Sequence, residues 1–283
     1  MDRGTLERGL ERLVREHRFT IAVVVPLVGA VLLVASAEGW LPSVLAFHPL
    51  LVILGIAVMR LPLIAALLPL VDRRAALLLV PVSGYVYVIE FVGLTTGWPY
   101  GSFVYGVNLG PMLGGVPVGL PLFFLPLVVD SMLLATVALR SLPDRWMIRL
   151  PAVVSIVLAV DLVLDPGAVA LGFWAYTEGG PYYAVPVSNF LGWVLSGTVA
   201  LIALDAAFPA DRLRRRVDEC PFILDDLVSF VLLWGAVNAF YANWIPVVIA
   251  SLLSVGLLRS GRFGIDPIRP WSKAVATLAS RGR

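Results

Sequence analysis

A chain of 283 residues that is 59% apolar and 14% charged, with a mean hydropathy of +0.92, is not a soluble globule, because soluble domains carry about 25% charged residues. The net charge of +2 says little, and no nucleic-acid partner is expected from it. The placement of the basic residues says far more.

All 21 Lys and Arg fall in five clusters, Arg3 to Arg18, Arg60 to Arg74, Arg140 to Arg149, Arg212 to Arg216 and Arg259 to Arg283. Each stretch between clusters is long enough for two crossings of about 20 residues. Excess Lys and Arg mark cytoplasmic loops, so all five clusters, and with them both termini, are placed inside. The pattern predicts an all-α polytopic helix bundle in the cell membrane, with eight spans over roughly 19–37, 43–60, 75–96, 116–139, 150–171, 187–207, 224–242 and 244–259. A β-barrel would show short alternating segments instead. In this reading 1–18 is a cytoplasmic amphipathic segment, 19–259 a single transmembrane domain and 260–283 a basic cytoplasmic tail.

Taken in order, RGTLERGLERLVREHR interleaves Leu6, Leu10, Leu13 and Val14 with charge, the pattern of a helix lying on the membrane surface. The first apolar run ends in Ala35-Ser36-Ala37, which imitates a signal-peptide cleavage site. Seven more apolar runs follow, so an uncleaved first helix is expected. The second span carries His48-Pro49, where a kink is expected; the run Leu61 to Val71 either extends that helix or lies along the interface. The third puts Glu90 in its outer half, on the face of Tyr87 and Leu94. An outer loop then holds Trp98, Tyr100, Phe103 and Tyr105, although aromatic residues at this level also serve as an interfacial belt. Asp130 lies near the middle of the fourth span.

The fifth span opens the stretch DLVLDPGAVALGFWAYTEGGPYYAVPVSNFLGW, Asp161 to Trp193. Asp161 and Asp165 are four residues apart, so on a helix they share one face and stand about 6 Å apart along its axis. Pro166-Gly167 follows, where a helix loses a backbone donor. An aromatic, glycine-rich loop with Trp174 and Tyr176 comes next, then Asn189 and Trp193 in the sixth span. The two aromatic loops fall on one side, which favours a shared lid or vestibule. The seventh span carries Asn238 and Tyr241. Asp225 and Asp226 at its start suit a helix N-terminus.

Cys220 is alone, and His17 and His48 are the only histidines. No disulfide framework and no histidine-rich metal site is expected. Glu90, Asp130, Asp161 and Asp165 lie within spans read as free of basic residues. Acids at membrane depth are costly and mark function by default; the bland alternative is that they hydrogen-bond to Tyr and Asn and fix helix packing. A carboxylic acid held neutral in an apolar site can donate a proton, and an ionised neighbour can take one. The DxxxD spacing also fits the magnesium-binding acids of a membrane prenyltransferase, but such an enzyme holds a diphosphate with Lys or Arg, and none lies on the outer side. A proton-coupled transporter usually shows repeated halves, and no repeat is visible.

The strings GLTTGWPYGSFVYG, LDPGAVALGFWAY, GGPYY and VPVSNFLGW resemble the signature segments of the bisanhydrobacterioruberin and acyclic-carotene 1,2-hydratases, a family of membrane proteins of carotenoid biosynthesis. The resemblance runs roughly from the second span to the seventh. It implies a hydro-lyase that adds water to a terminal isoprenoid double bond, with a lipophilic carotenoid, water and membrane lipid as partners and other pathway enzymes beside it. That chemistry needs a proton donor, aromatic faces to steady a tertiary cation and a carboxylate to position water; it needs no cofactor. Asp161 or Asp165 is the expected donor, and Glu90 or Asp130 the water-positioning carboxylate. Trp98, Tyr100, Tyr105, Trp174, Tyr176 and Trp193 are expected to line the pocket, with Asn189, Asn238 and Tyr241 holding water or the new hydroxyl. A non-catalytic carotenoid-binding membrane protein is the competing reading.

Overall fold

The computed structural model describes residues 2–141 and 145–261. Among the described residues ten α-helices carry the fold: α1 (Arg3–Glu16), α2 (Val25–Ala37, entered through a π-helical turn at Thr20–Val24), α3 (Pro49–Leu67), α4 (Arg73–Thr96), α5 (Pro121–Ala138), α6 (Trp146–Ala170), α7 (Val187–Ala207), α8 (Ala210–Glu219), α9 (Asp225–Phe240) and α10 (Trp244–Arg259). Four short strands among them, β1 (Phe103–Tyr105), β2 (Met112–Leu113), β3 (Val116–Pro117) and β4 (Trp174–Tyr176), lie in the loops. Six helical stretches among the described residues are long and apolar enough to cross a membrane. The chain is an all-α polytopic membrane protein.

The eight expected spans all appear as helices, but the last two are short. At 16 residues each, α9 and α10 reach about 24 Å against a hydrocarbon core of about 30 Å. Length is not what holds α9, which packs against α2, α3, α6 and α10 and buries Leu227, Val231 and Val237 among them.

The basic clusters meet at one end. Arg18 grips Asp225 at 2.6 Å, Arg149 pairs with Asp205 at 2.5 Å and Arg212 reaches Asp72 at 2.7 Å. Arg3 donates to the Leu68 carbonyl at 2.9 Å, which ties α1 down. Exposed Leu6 and Leu13 leave part of its apolar stripe facing outward, while Val14 is buried. The short helix α8 adds Arg216, which donates to Glu11 and to the Ala66 carbonyl. Buried Cys220 sits beside it, and burial pushes its thiol up to about 11, away from the reactive thiolate. The expected basic tail, past residue 261, lies outside the described residues.

One local expectation is corrected, and the second span ends beyond residue 60. His48-Pro49 makes no kink: His48 is the residue before α3 and Pro49 its first, a position where the missing N–H costs nothing. The same helix runs on to Leu67, so Arg60 lies inside a span and not at its end. α6 runs through Pro166 to Ala170, in keeping with the expected span 150–171. The proline's missing N–H leaves the Leu162 carbonyl free, and the Tyr182 hydroxyl donates to that oxygen at 3.1 Å. The next carbonyl, Val163, accepts from Asn238 at 2.8 Å. Side chains thus repair what the proline removes, as buried backbone in a membrane requires. Gly167 has its own reason: a Cβ there would stand 3.0 Å from the Trp234 ring, so α6 and α9 approach only without it.

At the opposite end, β1 pairs antiparallel with β4, Phe103 facing Tyr176 and Tyr105 facing Trp174. The two aromatic loops are therefore one lid, as the sequence suggested. Gly106 donates to the Phe173 carbonyl at 3.0 Å, and a Cβ on it would lie 2.3 Å from the Gly172 oxygen. β2 and β3 form a hairpin whose turn residues, Gly114 and Gly115, have φ of 59° and 85°, which glycine adopts freely.

Candidate active site

Beneath the lid lies an apolar chamber of about 120 Å³. α4 brings Glu90, α6 brings Asp165, α7 brings Asn189 and Trp193, and the lid brings Tyr100, Tyr105, Trp174 and Tyr176. Phe124 from α5 stacks on Trp193 with ring centroids 4.7 Å apart. None of the described lining residues is Lys or Arg.

The polar groups are bound to one another across elements. One nitrogen of the Asn189 amide donates to Asp165 Oδ2 at 2.5 Å and to Asp161 Oδ2 at 3.0 Å, so the DxxxD face is clasped by α7. Tyr176 also donates to Asp165 Oδ2, at 2.9 Å. Tyr105 donates to Glu90 Oε1. Burial pushes both phenols well above their ordinary range, helped by the Asp165 carboxyl beside Tyr176 and the Glu90 carboxyl beside Tyr105. Each therefore stays a neutral donor at any working pH. Asp161 is fully buried behind Asp165, with Oδ1 lacking a hydrogen-bond partner.

Tyr100 is fixed by shape. A Cβ at Gly192 would lie 2.4 Å from Tyr100 Cδ1 and one at Gly93 3.1 Å from Cδ2, so the ring is sandwiched between α4 and α7 at two glycines. Its hydroxyl meets Ser196 Oγ at 2.7 Å, and Tyr85 donates to the same oxygen at 3.1 Å. Ser196 and Tyr85 carried no sequence signal; a lone serine in an apolar run looks like any other. Trp234 and Phe173 also line the chamber and were not singled out.

Four expected residues lie elsewhere. Trp98 is 58% exposed. Tyr241 donates to Glu38 at 2.9 Å, away from the chamber. Asn238 is buried and spent on the α6 and α9 backbone, with Asn243 donating to it at 3.0 Å. Asp130 stands 4.0 Å from Arg60, which also binds Asp226. The reading that no base reaches the four acids is thus overturned for Asp130, because Arg60 lies within α3, which runs on to Leu67.

Fold and site together define a polytopic membrane protein enclosing an acid-lined apolar chamber. The chain belongs to the carotenoid biosynthesis protein family, whose model matches residues 47–257. It is 58% identical over 257 residues to the bisanhydrobacterioruberin hydratase of Haloarcula japonica, an alignment covering 90% of this chain and 87% of that protein. No solved structure gave a significant match.

Proposed function

We propose that this protein is a hydratase of the cell membrane that adds water across a terminal C=C bond of an acyclic carotenoid, converting a bisanhydrobacterioruberin-type end into a tertiary alcohol. The observation that carries the reading is the chamber: carboxyls from two helices face one apolar, aromatic space. The strong likeness to a relative named as a hydratase supports it.

Asp165 is the proton donor. Two donors occupy its Oδ2, which leaves Oδ1 for the substrate. The alkene π pair takes the Oδ1 proton onto the less substituted carbon and forms a C–H bond. The positive charge falls on the tertiary carbon, where the faces of Trp174 and Trp193 steady it. Glu90, aimed by Tyr105, orients a water whose oxygen lone pair closes the C–O bond. Glu90 takes the surplus proton, and its return to Asp165 completes the net addition of one water. Asp161 shares the Asn189 amide and acts behind Asp165. Asp130 stands outside this sequence. No step draws on a cofactor.

The test is expression in a host that makes the anhydro carotenoid. A gain of one water per converted end, read by mass spectrometry, is expected. Asp165→Asn and Glu90→Gln should abolish the gain with the protein still in the membrane, since general acid and base groups are worth roughly 10²–10⁴-fold each. Bound pigment of unchanged mass would replace the hydratase reading with a carotenoid-binding protein.

A further inference from the structure

The chamber is too small for the molecule proposed to react in it. Pockets that bury drug-sized ligands measure roughly 300–1,000 Å³, whereas the chamber is about 120 Å³. It holds an end group. The rest of a long chain has to lie elsewhere.

A second apolar space of about 390 Å³ runs between α2 and α3. Phe123, Leu127, Leu164, Phe173 and Trp234 line both spaces, so the two adjoin along these side chains. The outer side of the second is formed by Val28, Leu32 and Leu51, all about half exposed, so the groove opens sideways toward lipid. A molecule dissolved in the bilayer can enter there without crossing water.

We propose that the groove between α2 and α3 seats the chain of the polyene whose reacting end lies in the acid chamber. This deepens the hydratase reading and rests on it for the identity of the substrate.

Gly55 lines the groove, and a Cβ there meets nothing within 4 Å, so Gly55→Leu starts its side chain in open space of the groove. The experiment uses the full chain in lipid nanodiscs. It measures hydration and retention of a C40 or longer acyclic polyene, and hydration of a C15 acyclic terpene with the same end group. Gly55→Leu should lower the ratio of long- to short-chain turnover at least tenfold and release the bound polyene. An unchanged ratio with the polyene retained would overturn the groove assignment. If the wild type hydrates neither compound yet retains the polyene, and Gly55→Leu releases it, the groove stands and the hydratase reading falls. If the wild type neither hydrates nor retains the polyene, both fall.

Discussion

Asn189 and Asp165, twenty-four residues apart in the chain, meet at 2.5 Å, and the same amide nitrogen reaches Asp161 at 3.0 Å. A single side chain from α7 therefore sets where both acids of α6 point. Asn189→Leu keeps the volume and removes both donations. Leaving buried acceptors unsatisfied costs about 1–3 kcal/mol, so the melting temperature should drop. Product formation should fall further than that loss of folded protein accounts for. Asn189→Asp, which places a third acid in the cluster, should be worse still. Normal turnover in either variant would show that the acids need no such clasp.

Tyr105 and Glu90 form the matching pair on the other wall. Tyr105→Phe should cut kcat about tenfold through loss of one hydrogen bond, with KM little changed. Because the phenol is held neutral well above its ordinary range, wild-type turnover should show no decline from its ionisation near pH 10. A kcat equal to wild type would place the water-positioning carboxylate elsewhere.

The seat of Tyr100 makes a purely steric prediction. Gly192→Ala adds one methyl, whose carbon would stand 2.4 Å from Tyr100 Cδ1. The ring must leave its slot and abandon Ser196. Activity should fall at least tenfold, and Gly192→Ala combined with Tyr100→Ala should lose little beyond either alone. Additive losses in that cycle would separate the two residues.

Tyr182 and the Leu162 carbonyl test the repair of the proline turn. Tyr182→Phe removes one hydrogen bond and should cost about 1 kcal/mol, measured as a lower melting temperature in detergent. Pro166→Ala restores a backbone N–H to that carbonyl and should blunt the effect of Tyr182→Phe.

Asp72 caps α4 by accepting from the Ala75 N–H at 2.9 Å and pairs with Arg212. The backbone donor first, then the guanidinium, hold its carboxyl below the usual range. A lowered value stabilises the fold above the ordinary carboxylate pKa, about 3.9, and that contribution is lost as pH falls through the folded-state value. Asp72→Ala should therefore lower the melting temperature at pH 7 and have a smaller effect near pH 3.

Much of this was legible in the chain itself. Carboxyls at Glu90, Asp161 and Asp165 stand out because a bilayer tolerates so few, and the basic clusters mark one end of the bundle. The lid could be anticipated from two aromatic, glycine-rich loops on the same side. Asp130 could not be placed: its partners Arg60 and Asp226 are remote in sequence, and the sequence left open whether Leu61 to Val71 continues the helix that carries Arg60. Trp98 and Tyr241 have the right composition and the wrong neighbours, which only packing decides. Ser196 matters through a glycine-seated ring, a relationship that no periodicity encodes.

The clasp of β1 on β4 has a consequence for biogenesis. Its two strands are delivered by the ribosome on either side of α5 and α6, so the roof cannot close until both those helices have been inserted. A nascent protein stalled after α5 should therefore be the form most readily extracted or degraded, and completion of the loop through Tyr176 the moment at which the roof is fastened.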